Sequence, residues 1–68
     1  MIFFIKYLYR MRQLNKATML ATQLFDGDIN QALIWMGTKN SALFDFTPAE
    51  YIIGGRGESV IGWLKGRL

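Results

Sequence analysis

Apolar residues recur at steps of three and four along much of the chain: Leu14, Ala17, Ala21, Leu24 and Phe25, then Ile29, Ala32, Leu33 and Met36, then Val60, Ile61 and Leu64. That spacing lines one face of a helix, whereas a strand would alternate. The first set predicts a helix from about Arg12 to Phe25, stopped by Gly27. Asp28 can cap the next helix with Gln31 as its capping-box partner, so a second helix is expected over about Ile29 to Met36, ending before Gly37. In Thr47-Pro48-Ala49-Glu50, Thr47 supplies the cap, Pro48 suits the first helical position and Glu50 can reach back to the cap's backbone. A short third helix then runs to about Ile53. Gly54 and Gly55 end it, and Glu58 through Leu64 form a fourth. Only the first few residues alternate at all like a strand, and no repeat or low-complexity linker interrupts the chain. The expectation is an all-α fold: a small bundle of about four short helices in a single domain.

A chain of 68 residues makes at most one small domain with a thin core. It contains neither Cys nor His, which removes disulfides and the usual zinc ligand sets as staples. Oligomerisation or a partner surface is the remaining source of extra stability. The apolar fraction of 51% and the aromatic fraction of 15% exceed what so small a domain can hide. Exposed apolar surface and self-association are therefore expected. The net charge of +3 permits contact with nucleic acid or anionic lipid, but the same balance is common in small soluble domains.

Half of the positive charge lies near the start, on Lys6, Arg10, Arg12 and Lys16, interleaved with Tyr7, Leu8, Tyr9 and Met11. The run Met1 to Ile5 is apolar but too short to cross a bilayer. A secretory signal places its charge before a longer apolar stretch and ends in small residues; here the charge follows and no such end appears. Residues 1–11 are read as an apolar and basic extension of a cytoplasmic protein. The extension suits a solvated helix face, a leader ahead of a start at Met11, or a surface that meets membrane or nucleic acid.

Catalysis is not expected. General acid and base work usually needs a His or a perturbed carboxylate pair, and nucleophilic catalysis needs a base beside the nucleophile. The acidic residues are Asp26, Asp28, Asp45, Glu50 and Glu58, and four of them are accounted for as caps or charges at helix starts. Asp26 and Asp28 alone supply too few oxygens for a divalent ion, so neither a metal nor another cofactor is expected. Ile52 to Val60 contains Gly54-Gly55-Arg56-Gly57, which looks like the phosphate-clamping loop of KH domains, with Arg56 as its charge. That fold needs a sheet the pattern does not provide, and a glycine-rich turn between helices is the simpler reading. Trp35 sits beside the Ala32 and Met36 stripe and is expected in the core, whereas Trp63 lies off the Val60 and Leu64 line and suits either the core edge or a partner contact.

A longer ordered series runs from Leu24 to the end. It comprises Phe25-Asp26-Gly27-Asp28, Ala32 to Met36, Thr38 to Leu43, Thr47-Pro48-Ala49-Glu50, Gly55-Arg56-Gly57-Glu58-Ser59-Val60 and Gly66-Arg67-Leu68. This series resembles the toxin-binding domain shared by the Xre, MbcA and ParS antitoxins, whose pattern runs roughly F-x-G-D, K-A-x-x-W-L, T-P-N-P-A-L-G-G-x-T-P-x-E, G-x-G-x-x-V and G-R-[IL]. The blocks occur in the family's order over about two thirds of the chain, and the domain as a whole is expected to span residues 12–68. Lys39 and Ser41 stand where the family usually has Pro, and Phe44-Asp45 where it usually has Gly-Gly.

The resemblance implies a protein that binds a cognate toxin and covers its active site. The toxin would commonly be a RES-type enzyme that consumes NAD, or a related ADP-ribosyl transferase. It also implies that the C-terminal helix and Gly66, Arg67 and Leu68 lie near the toxin; from their own chemistry, Trp63 and Arg56 are further candidate partner contacts. A guanidinium such as that of Arg67 pairs bidentately with carboxylate or phosphate, although a basic residue at a helix end also simply suits the dipole. Family members often carry an N-terminal helix-turn-helix domain, for which 68 residues leave no room, so direct DNA binding is not expected. Neither is a membrane partner.

Overall fold

A computed structural model describes the backbone of residues 2–68 and the side chains of residues 7–68. Helical turns make up 76% of the chain, and no strand occurs among the described residues. The elements are α1 (Ile2–Leu24), α2 (Ile29–Met36), a 3-10 turn (Ser41–Leu43), the single-turn α3 (Pro48–Tyr51), a wide turn (Ile52–Arg56) and α4 (Gly57–Lys65). They fold into one compact domain of about 38 × 24 × 20 Å.

The all-α expectation holds, but the helices are not uniformly short. The first, expected from about Arg12, starts at Ile2 and passes through Met11 and Arg12 without a break. No Gly or Pro lies between Ile2 and Leu24, and once a helix has nucleated, each further residue adds one hydrogen bond at small cost. The strand-like alternation of the first residues is thus overridden. The count of four depends on where Pro48–Lys65 is divided. That stretch winds almost continuously, and the division is a kink at Gly55, whose φ of 94° is available chiefly to glycine.

The start signal of α3 works as the sequence suggests, and that of α2 only in half, since Asp28 caps but Gln31 does not complete a capping box. Thr47 and Glu50 form a complete capping box, the Glu50 N–H donating to Thr47 Oγ1 and the Thr47 N–H to Glu50 Oε1, both at 3.0 Å. At α2 the Gln31 N–H donates to Asp28 Oδ1 at 3.2 Å, while the Asp28 N–H turns back to the Phe25 carbonyl. After α1 the left-handed residues Asp26 and Gly27 reverse the chain, with the Gly27 N–H on the Thr22 carbonyl at 2.8 Å.

The core is small. Ala17 and Ala21 of α1, Ala32 and Met36 of α2, Leu43, Tyr51, Ile52, and Val60 and Leu64 of α4 are buried. Three of these nine are alanines, and α2 and α4 both pack on α1. Against the start of α4, the Gln13 carboxamide occupies the space a side chain on Gly57 would need.

Candidate partner-binding surface

Packing of α2 and α4 on α1 fixes the end of the molecule that carries Trp63 and residues 66–68. Where α2 and α4 face each other, Trp35 and Trp63 stack with ring centroids 5.5 Å apart and planes inclined by 20°. Both rings are half-buried, so the pair braces the two helices and also reaches the surface. One turn beyond Trp63, Arg67 folds back over its ring, with the guanidinium carbon 3.5 Å from the centroid. Its Nη1 donates to the Trp63 carbonyl at 3.3 Å. This places a cation against the ring's electron-rich face and leaves donors of the guanidinium fork unused.

Gly66 extends the helical path, its N–H on the Gly62 carbonyl at 3.0 Å, and the Arg67 and Leu68 amides continue it to Leu64 and Lys65. Leu68 is exposed. Four of the residues singled out in the sequence, Trp63, Gly66, Arg67 and Leu68, thus lie together at one end of α4. Arg56 does not join them. It precedes the first residue of α4, so about 16 Å of helix rise separates it from Arg67. There it lies over Tyr51, 5.6 Å from the ring centroid, with Nη1 3.4 Å from the phenolic oxygen that accepts its hydrogen bond.

Trp35 is the residue that periodicity assigned to the core and that the structure places in the surface stack. Its register on α2 puts it beside Ala32 and Met36, but only tertiary packing reveals that it faces Trp63. The expected exposed apolar surface is present. On α2, Ile29, Leu33 and Ile34 are each more than half exposed, and Phe44 and Phe46 project from the loop before α3.

That loop has unusual backbone geometry. Phe44 and Asp45 both have positive φ, 56° and 65°, and the Phe46 N–H closes the turn on the Leu43 carbonyl at 3.1 Å. Asn40 organises the approach. Its Oδ1 accepts from the Ala42 N–H at 2.9 Å, its carbonyl accepts from the Asp45 N–H at 3.0 Å, and its own N–H donates to the Phe46 carbonyl at 3.1 Å.

The Gly54 to Gly57 stretch is the kink between α3 and α4, and no sheet lies beside it among the described residues. The described residues include no group of three His, Cys, Asp or Glu side chains placed to hold a metal ion. No described helix is long and apolar enough to cross a membrane. No protein-family model, curated protein or solved structure matches this chain.

Proposed function

We propose that the chain is an antitoxin-like, toxin-binding module whose α4 end, Trp63 to Leu68, docks on a cytoplasmic RES-type enzyme that consumes NAD, or on a related ADP-ribosyl transferase, and covers its active site. The observation that carries this reading is Arg67 lying flat on Trp63, which is itself backed by Trp35. Interfaces concentrate their binding energy in Trp, Tyr and Arg, and a guanidinium held in place before binding loses less freedom on meeting a carboxylate or phosphate. Inhibition is steric, so the module needs no catalytic group of its own.

The loop before α3 supports the family resemblance independently. Phe44 and Asp45 occupy the positions where the antitoxin pattern has Gly-Gly, and both adopt the left-handed conformation that glycine favours. These two residues do not favour that conformation, and glycine at both positions would adopt it freely.

The test is co-expression in a laboratory bacterium with the product of the adjacent reading frame, following growth and cellular NAD. That product alone should deplete NAD and the chain should restore it. Arg67→Glu should lose the rescue while keeping its helical circular dichroism, because a central Arg contact is worth about 2 kcal/mol or more. Trp63→Ala is the poorer variant, since it also removes the brace between α2 and α4. A harmless neighbour, or depletion that the wild-type chain does not relieve, would rule out this function for the pair.

A further inference from the structure

We propose that the groove between α1 and α4, on the other side of α4 from Trp63 and Arg67, is a docking site for an acidic amphipathic helix of a partner protein. Charge is the first argument. Arg12 and Lys16 on α1 and Lys65 on α4 line this groove, with a single carboxylate, Glu58, among its lining residues. Glu58 accepts a hydrogen bond from the Tyr9 hydroxyl at 3.3 Å, which joins the two helices. Lys16 and Lys65 each lie about two helical turns from that bond, roughly 10 Å along their own helix.

The groove also has a floor. Ile61 is half-buried there, and Gly62 has nothing within 4 Å of where a side chain would begin, so the α4 backbone is open to close approach. Gln13 is only 7% exposed and also lines the groove.

These features favour a protein helix over a nucleic-acid strand. A phosphate backbone is read by protruding cations and has no use for an apolar trough, and it would meet the Glu58 carboxylate at one end. An amphipathic acidic helix uses both parts, setting an apolar side chain on Ile61 and Gly62 and its carboxylates against Arg12, Lys16 and Lys65. Position separates this surface from the proposed toxin contact. At 100° per residue, Glu58, Ile61, Gly62 and Lys65 fall on the side of α4 opposite Trp63 and Arg67.

The experiment uses the whole chain and three labelled probes: a helical peptide of about four turns with Glu and Leu at helical spacing, the same peptide with Lys for Glu, and oligothymidylate. Fluorescence anisotropy measures affinity, and amide NMR shifts locate the contact. The acidic peptide should bind saturably below about 1 mM and move the Gln13 side-chain and Gly62 backbone resonances, while the basic peptide should not bind. Lys16→Glu with Lys65→Glu should weaken it about tenfold or more, since exposed pairs contribute up to about fivefold each and reversal adds repulsion. Gly62→Leu, which fills the floor and favours the helix, should weaken it without loss of helicity, and Arg67→Glu should leave it unchanged. Tighter binding of oligothymidylate, shifts centred on Trp63, or no binding of the acidic peptide at about 1 mM would each overturn the proposal.

Discussion

Phe44 and Asp45 show how much a single residue's backbone can matter in a chain this small. Each sits in the left-handed region, at φ 56° and 65°, which costs an L-residue about 1–2 kcal/mol that glycine is spared. The Phe44 side chain is 76% exposed, so packing offsets little of that. Phe44→Gly is expected to raise the unfolding free energy by about 1 kcal/mol, and Asp45→Gly by less because Asp tolerates the conformation better. Urea denaturation measures both. A fall on Phe44→Gly would mean that the ring holds the loop in a way its exposure does not suggest. Residue by residue, the candidate surface was only partly legible beforehand. Trp63 lies on α4 and Arg67 four residues on, just past its end, where Gly66 continues the helical path, so their contact follows from spacing. The Trp35 to Trp63 stack depends on how α2 and α4 lie on α1, which no local pattern encodes. Arg56 stands just before the helix expected from Glu58 to Leu64, so its separation from Arg67 follows from the pattern as well.

At the scale of elements, caps and breaks were more legible than lengths. Thr47, Asp28 and the glycines act through chemistry confined to a few residues, so α2, α3 and α4 start close to where those signals stand. The start of α1 is not set by a local signal, because the cost of adding each turn is small and nothing stops it before Ile2. Two predictions belong here. The Thr47 N–H and hydroxyl hold the Glu50 carboxyl below its ordinary value of 4.5. A carboxyl lowered in the fold stabilises the folded state above its ordinary value, and that contribution is lost as pH falls through the lowered one. Melting curves should therefore show wild type losing stability below pH 4.5 faster than Glu50→Gln, which keeps a capping oxygen without the charge. Parallel curves would show that the box does not titrate. The second concerns the contact of Gly57 with Gln13. Gly57→Ala should leave stability within about 0.5 kcal/mol of wild type, the helix gain from Ala being offset by the shift it forces on the Gln13 carboxamide. In a Gln13→Ala background the same change should stabilise by about 0.5–1 kcal/mol, because Ala favours the helix. Additive effects in the double-mutant cycle would mean that the two residues do not compete for space.

The molecule as a whole joins a thin core to a large apolar surface. Among the described residues, three of the nine buried members of the hydrophobic cluster are alanines, while Ile29, Leu33 and Ile34 stay more than half exposed on an eight-residue helix whose buried residues are only Ala32 and Met36. Burying one large aliphatic side chain is worth about 1.5–3 kcal/mol, a substantial part of what a domain this size holds in total. Covering α2 is therefore the most direct way for the fold to gain stability, and self-association is the version of that gain which needs no other protein. For a chain that pairs on folding, a hundredfold rise in concentration favours the paired state by about 2.7 kcal/mol. Because two chains unfold together, that is about half as much per chain, and at about 4–8 °C per kcal/mol it shifts the melting temperature by roughly 5–10 °C across a hundredfold dilution series. Leu33→Glu with Ile34→Glu should abolish the dependence and leave the helical spectrum intact, since both side chains already face water in the single chain. A melting temperature that does not move with concentration in the wild type would assign the exposed face of α2 to a different partner, and the stability of the lone chain would then rest on α1, α4 and the tryptophan brace between α2 and α4.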